Sequence, residues 1–411
     1  MFSTPSSLVK NNMSVSTLPA IIAIGYNRPD SLARLLSSLT QANYAGYTDV
    51  PLIISLDRSE SNEVRHVAER FEWPFGSKRI INHKERLGLK NHILSCGDLS
   101  EEYEAVIVLE DDLIVSRYFY QYAVTARDFY AGDETISGIS LYGQRYNETA
   151  SRPFEAFEDG YDVYFLQLAS SWGQLWTASQ WRQFRHWYAD YEEHSVYLMG
   201  VPSNISKWPA SSWKKNFIEY MISCGKYFVY PRVSLTTNFC DPGAHYQHST
   251  MLLQVPLLLG AREYRFVSFM RSHAVYDAFM ELSTSSIQHL NQDLSQYDFE
   301  VDLYGSKPAN LLKTKPYALT TRSCRQSLQS YKRETKPHET GVLMNMPGHE
   351  IHLCDTKAEI FLEFRPDPAN HAIYDSPYIS GRVLPRSKNK IAKWIAEKVA
   401  TSVMRKVSKI L

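Results

Sequence analysis

Residues Ala105 to Leu109 form an unbroken apolar run that ends at three consecutive acids, Glu110, Asp111 and Asp112. Such a run, short and rich in valine and isoleucine, predicts a strand buried on both faces, with the acids emerging together where it leaves its sheet. Adjacent carboxylates repel one another, and burying a charge without a partner is costly, so a cation is expected beside them. Hard oxygen donors at a strand end suit Mg2+ or Mn2+ holding a diphosphate, because octahedral sites commonly combine one or two carboxylates with phosphate oxygens. The plainer alternative is a solvated turn in which Asp112 or Ser116 caps the following helix.

The segments before this strand alternate in character. Ala20 to Gly25 predicts a buried strand, and Asn27 to Leu39 a turn feeding a helix whose leucines at 32, 35, 36 and 39 make one stripe, with Pro29 near its start. Pro51 to Leu56 predicts a strand ending at Asp57, followed by a helix over Asn62 to Phe71, a strand at Ile80 to Asn82 and a helix from Leu87 to Cys96 entered through Gly88. This alternation predicts an α/β fold, a mostly parallel sheet flanked by helices, with ligands outside the C-terminal ends of its strands. From about Val301 the pattern shifts to short alternating runs, which predict a small β-rich appendage over 286–385. The core domain is expected over 19–285, in two parts, 19–130 and 131–285, after a polar leader at 1–18.

Lys plus Arg and Asp plus Glu both number 44, so no net basic field points to nucleic acid. The 27 Tyr and 8 Trp exceed what a core needs and suggest a surface that stacks on sugar rings. Five cysteines without a CxxC pair predict reduced thiols and a cytoplasmic setting. Neither a signal peptide nor an apolar run long enough to span a membrane is seen. The tail is different: Arg386 to Leu411 carries eight basic residues against one acid, with apolar residues recurring every fourth position from Ile391. It predicts an amphipathic helix suited to the anionic inner face of a membrane, or else one packed on the protein body.

Taken together, IIAIGYNRPDSL (21–32), PLIISLDRS (51–59), LGLKNHIL (87–94) and VIVLEDDLIVSRYF (106–119) resemble the nucleotide-sugar half of GT-A glycosyltransferases in order and spacing. The likeness is to bacterial family 2-like sugar transferases and, more distantly, to N-acetylglucosaminyltransferase I, and it covers about Pro19 to Tyr276. It implies a Rossmann-like GT-A domain that moves a sugar from a nucleoside-diphosphate sugar to a hydroxyl of a glycan or lipid-linked glycan, in surface polysaccharide synthesis, with Mn2+ or Mg2+ as cofactor. It implies that Arg28 contacts the diphosphate and Asp57 the nucleoside, that Asp112 binds the metal, and that Glu110 and Asp111 lie near the ribose and the metal's water shell. SSWGQLW (170–176) resembles the segment that lines the sugar pocket, which implicates Trp172 and Gly173, with Trp176 beside them. His245, favoured over His248, is expected in the loop that closes on the diphosphate, as metal ligand or phosphate partner.

One departure stands out. Where the relatives carry Trp-Asp, with the aspartate as base, this chain has Trp213-Lys214. A lysine cannot replace a carboxylate base unless its pKa falls by several units. The nearest acids are Glu219, which is preferred, and Asp241. The missing base keeps open a non-catalytic sugar-binding protein on the same scaffold. A sugar-phosphate nucleotidyltransferase is disfavoured because residues 25–29 lack a glycine-rich phosphate loop.

Overall fold

The computed structural model describes residues 18–191, 199–239, 241, 253–333, 335–359 and 361. The helix expected at 386–411 and the histidines at 245 and 248 lie outside the described residues.

Three units of alternating strand and helix open the fold: β1 (Ala20–Gly25), α1 (Pro29–Thr40), β2 (Leu52–Leu56), α2 (Glu63–Arg70), β3 (Lys78–Asn82) and α3 (Gly88–Asp98). The acid-bearing strand β4 (Ala105–Glu110) follows and pairs in parallel with β1, which pairs in parallel with β2 on its other side. The apolar runs are continuous because both faces are covered. In β1, Ala20, Ile22 and Ile24 enter one core while Ile21 and Ala23 enter the other; in β4, Val106 and Val108 face the first core and Ile107 and Leu109 the second. Glu110 continues the Val106–Val108 face.

Beyond β4 the sheet becomes mixed. After β5 (Leu113–Val115) and α4 (Phe119–Tyr130) come β6 (Ile136–Ser140), β7 (Val163–Leu166), β8 (Gln174–Thr177), α5 (Ala178–Asp190), α6 (Trp213–Ser223), β9 (Tyr227–Pro231), β10 (Thr236–Asn238) and β11 (Val275–Tyr276). The large sheet runs β11-β7-β9-β6-β8-β4-β1-β2-β3, and β8 lies antiparallel between β4 and β6. Five of its eight neighbouring pairs are parallel, so the sheet is mostly parallel as expected, with the antiparallel pairs confined to its second half.

The aromatic surplus goes largely inside. Trp176, Trp181 and Trp213 are at most 2% exposed and pack with Phe184 and Phe217 against α3 and the sheet, which corrects the expectation that Trp176 faces a sugar.

A second sheet is built by β12 (Phe299–Asp302), β13 (Tyr317–Thr320), β14 (Ser327–Tyr331) and β15 (Ile351–Asp355), in the order β12-β13-β15-β14. Phe299, Val301 and Leu353 share one apolar core with Tyr276 and Met280 of the large domain. Cys324 and Cys354 form a disulfide across this sheet, with Cα atoms 6.2 Å apart. The expectation of five reduced thiols is therefore corrected: the partners are separated by 30 residues, and strand pairing rather than sequence spacing brings them together.

Where the two sheets meet, Glu339 is 3% exposed and accepts a hydrogen bond from the Tyr276 hydroxyl at 3.0 Å. Burial pushes its carboxyl from 4.5 up to about 7. An acid with a raised folded pKa holds its proton in the fold, so stability falls as pH climbs from the unfolded value through the folded one. Neighbouring His338, pushed by burial down to about 3, stays neutral and contributes equally to both proteins compared here. Glu339→Gln is expected to gain in Tm relative to the wild type as pH rises from about 5 to about 8. A Tm difference that does not move with pH would show that the carboxyl is ionised throughout.

Candidate active site

The parallel strands β1, β2 and β4 deliver Arg28, Asp57 and the acids to one edge. Arg28 closes the β1–α1 turn, immediately before Pro29 at the helix start. Its guanidinium bonds both oxygens of Asp111, with Nε at 3.3 Å from Oδ2, and stands 3.5 Å from Asp112 Oδ2. Three carboxylates thus share one close guanidinium. Burial, reinforced by the charges of Asp112 and Asp111, pushes Glu110 up to about 8; burial, opposed by Arg28, pushes Asp111 up to about 6 and raises Asp112 as well. Burial alone would lower the Arg28 value, yet the acids outweigh it and the guanidinium is held above its ordinary range.

Asp112 Oδ1 is buried and has no hydrogen-bond partner. This one free carboxylate oxygen fits a hard divalent ion whose other positions are filled by phosphate oxygens and water, the usual arrangement for Mg2+ or Mn2+; the three acids do not each bring an oxygen within 4.8 Å of the others.

A second layer closes over the acids. Strand β5, directly after them, pairs antiparallel with β10, and Phe239 N–H donates to the Asp112 carbonyl at 2.8 Å. This brings Asp241 near the cluster, where its charge acts on Asp111 and Asp112. Asp241 Oδ2 accepts from the Ser31 hydroxyl at 2.6 Å and from Arg34, both on α1. Although burial works against ionisation, those two bonds hold its carboxyl below the usual range. Asp241 therefore anchors this segment on α1.

Gly173 makes the close approach of this layer possible. Its φ is +92°, and an added Cβ would stand 2.9 Å from Thr236 Cγ2 and 3.3 Å from Leu109 Cδ2. Its neighbour Trp172 accepts a bond from Thr236 Oγ1 at 2.5 Å through its carbonyl, and its half-buried ring lies against Tyr142.

Two other expected residues have different surroundings. Asp57 accepts the backbone N–H groups of Arg58 and Leu87, each at 2.8 Å, and of Gly88 at 3.0 Å. Its carboxylate ties the end of β2 to the start of α3, so it shapes the loop between them while most of its accepting capacity is already used. Glu219 is not brought to the acids. It accepts from the Tyr191 hydroxyl at 2.9 Å and lies about 140° around α6 from Lys214 at ~100° per residue. Glu219, preferred above as the base, thus lies on a different side of α6 from Lys214 and has its carboxylate engaged by Tyr191.

Lys214 does face the site. It sits in the first turn of α6, after the N-cap Ser212, with Nζ 5.5 Å from the Trp172 ring centre and 5.4 Å from that of Trp208, and its charge acts on Glu110. The sequence singled it out only as the residue replacing a base. Trp208, Gln144 and Glu148, which line the cavity beside it, carry no motif that would reveal them.

No family model and no curated protein matches the chain. Solved structures similar to it include the mannosyltransferase PcManGT from Pyrobaculum calidifontis in complex with GDP-Man and Mn2+, at 13% identity and a TM-score of 0.33 over 52% of this chain and 55% of that one. S. aureus TarS 1–349 in complex with UDP-GlcNAc is similar at 11% identity and a TM-score of 0.35, over 56% and 60% of the two chains. GalNAc-T7 with UDP, GalNAc and Mn2+ follows at 12% and 0.37, over 53% and 43%. The chain spans roughly half the length of these structures.

Proposed function

We propose that this protein is a divalent-metal-dependent glycosyltransferase that moves a sugar from a nucleoside-diphosphate sugar to a hydroxyl of a glycan or lipid-linked glycan. The observation that carries the reading is Asp112 Oδ1, buried and unpartnered, in a cluster of three acids at the C-terminal edge of parallel strands with Arg28 alongside. Asp112, with Glu110 and Asp111 next to it, would hold Mn2+ or Mg2+, which when bound supplies positive charge against a departing diphosphate. Arg28 offers phosphate oxygens those N–H donors not spent on Asp111 and Asp112. Trp172 gives a sugar ring an apolar face, and Gly173 lets the backbone come close to it. In the transfer, the bond from the anomeric carbon to the diphosphate oxygen breaks, the acceptor oxygen bonds to that carbon, and the hydroxyl proton leaves. Glu219 and Asp241, the acids favoured for accepting that proton, already accept hydroxyl bonds from Tyr191 and Ser31.

The basic sequence of 386–411 supports a position on an anionic membrane surface, where lipid-linked acceptors of surface polysaccharides are made. No described helix is long and apolar enough to cross a membrane. One observation favours a second reading, a sugar-binding protein without turnover: the position expected to supply a base holds Lys214. A thermal-shift screen of UDP-, GDP-, CMP- and dTDP-sugars with and without Mn2+, followed by assay of released nucleotide, separates the two. The transferase reading expects one nucleotide class to raise Tm only with the metal and to be slowly hydrolysed or transferred. Metal-dependent binding without release favours the second reading, and no response to any nucleotide overturns the transferase reading and likewise favours the second.

A further inference from the structure

Among the described residues, only Cys324, Cys354 and Glu359 bring three metal-ligating atoms together, two sulfurs and a carboxylate oxygen within 4.8 Å of one another. The second sheet assembles this group from segments apart in sequence. Cys354 lies on β15, fully buried, where it pairs with Ser327 of β14; Cys324 is half-buried in the turn that leads into β14, and Glu359 follows the end of β15. Glu359 is 4% exposed, and its Oε1 accepts the Arg325 N–H at 2.6 Å and stands 3.5 Å from Cys324 Sγ. Its Oε2 makes no bond among the described residues.

We infer that Cys324, Cys354 and Glu359 form a zinc site in the reduced protein, of which the disulfide is the oxidised form. Cys324 is open enough to solvent for a dithiol to reach it. The dithiol closes to its own disulfide, the Cys324–Cys354 bond breaks, and the dithiol's two protons pass to the two cysteines. Zn2+ then displaces both protons, because the thiolate is the ligand. Two thiolates about 2.3 Å from one tetrahedral ion stand roughly 3.8 Å apart, a separation their side chains reach by rotation with Cα atoms 6.2 Å apart. Glu359 supplies the third donor, and its Oε2 or a water the fourth. Sulfur donors select a softer ion than the oxygen edge at Asp112 does. In either state the turn at 321–326 stays tied to β15, so the second sheet keeps a cross-link under reducing as well as oxidising conditions. None of this depends on the transferase reading.

The test compares zinc uptake by the full chain before and after reduction with a phosphine and desalting under nitrogen, by native mass spectrometry and by competition with a chromophoric chelator. The acids at 110–112 and the thiols of Cys96 and Cys224 are present in both forms, so zinc bound there cancels from the comparison. The reduced wild type is expected to hold one more Zn2+ than the oxidised chain and to gain in Tm when it does. With Co2+ in place of Zn2+ it should show a thiolate-to-metal charge-transfer band that the oxidised chain lacks. Cys324→Ser and Cys354→Ser, reduced in the same way, should each bind that ion at least about 100-fold more weakly, the upper end of what losing even an outer-shell partner costs. Glu359→Gln still accepts the Arg325 and Gln326 N–H bonds, so it should keep the turn yet bind at least about tenfold more weakly. Equal uptake by reduced and oxidised wild type overturns the inference without recourse to any variant. A serine variant that binds as tightly as the reduced wild type overturns it too, and Glu359→Gln at full affinity overturns the three-donor site.

Discussion

Asp112→Asn is expected to abolish Mn2+-dependent nucleotide binding and to lower nucleotide release by at least about 10²–10³-fold, the scale for losing one electrostatic contact at developing charge. The same change should raise the Tm of the metal-free protein. Asp112 lies buried among Glu110 and Asp111, its Oδ1 has no partner, and burial holds its pKa above the ordinary value. An uncharged side chain of equal shape relieves that repulsion and desolvation. Function and stability therefore move in opposite directions, as expected of a site whose strain is relieved by its ligand. The checks are thermal unfolding with and without Mn2+ and a nucleotide-release assay on both proteins. A drop in Tm without metal would mean that the acids brace the fold and would remove the main support for a cation site.

The strands β1, β2 and β4 were legible because each is a continuous apolar run, and continuity follows from burial on both faces. The placement of Glu110, Asp111, Asp112 and Arg28 at one edge follows from parallel pairing alone. What could not be read depends on pairings distant in sequence. Strand β8 enters antiparallel between β4 and β6, and nothing in Gln174 to Thr177 marks that position. Asp241 resembled a free loop acid until its bond to Ser31, 210 residues away, showed it pinned to α1. Asp57 carries a strand-end carboxylate whichever partner it serves, and only the backbone of Leu87 and Gly88 reveals how much of it is used. Trp172 and Trp176 are four residues apart, yet one borders the cavity and the other is fully buried, because the turn at Gly173 separates them and strand alternation does not.

Lys307→Met should be the most destabilising single change in the second half of the chain, costing about 3–5 kcal/mol, the range for removing one partner of a buried ion pair. The Lys307 side chain is 2% exposed and its ammonium bridges Asp277, just beyond β11 of the large sheet, and Glu300 on β12 of the second sheet. Glu281 lies close enough to sense the same charge; it is 1% exposed, accepts the Tyr304 N–H at 2.7 Å through Oε1, and leaves Oε2 unpartnered. Asp302, fully buried, is answered separately by Arg322 at 2.7 Å. Burial alone would strip the proton from Lys307, but its ion-pair partners Asp277 and Glu300 outweigh it and raise its pKa above the lysine value. A raised folded pKa means that this stabilisation is complete at neutral pH and is lost only in strong alkali. Methionine keeps the packing near Phe279 while leaving the carboxylates unneutralised, so the deficit should shrink at low pH as they take up protons. Glu281→Gln is the control: it removes a carboxyl that burial already drives toward its neutral form, and it should be nearly silent or mildly stabilising. Urea unfolding at neutral and acid pH, with hydrogen exchange across β11 and β12, measures both changes. A Lys307→Met deficit below about 1 kcal/mol, typical of an exposed pair, would show that the ammonium does not hold the two sheets together.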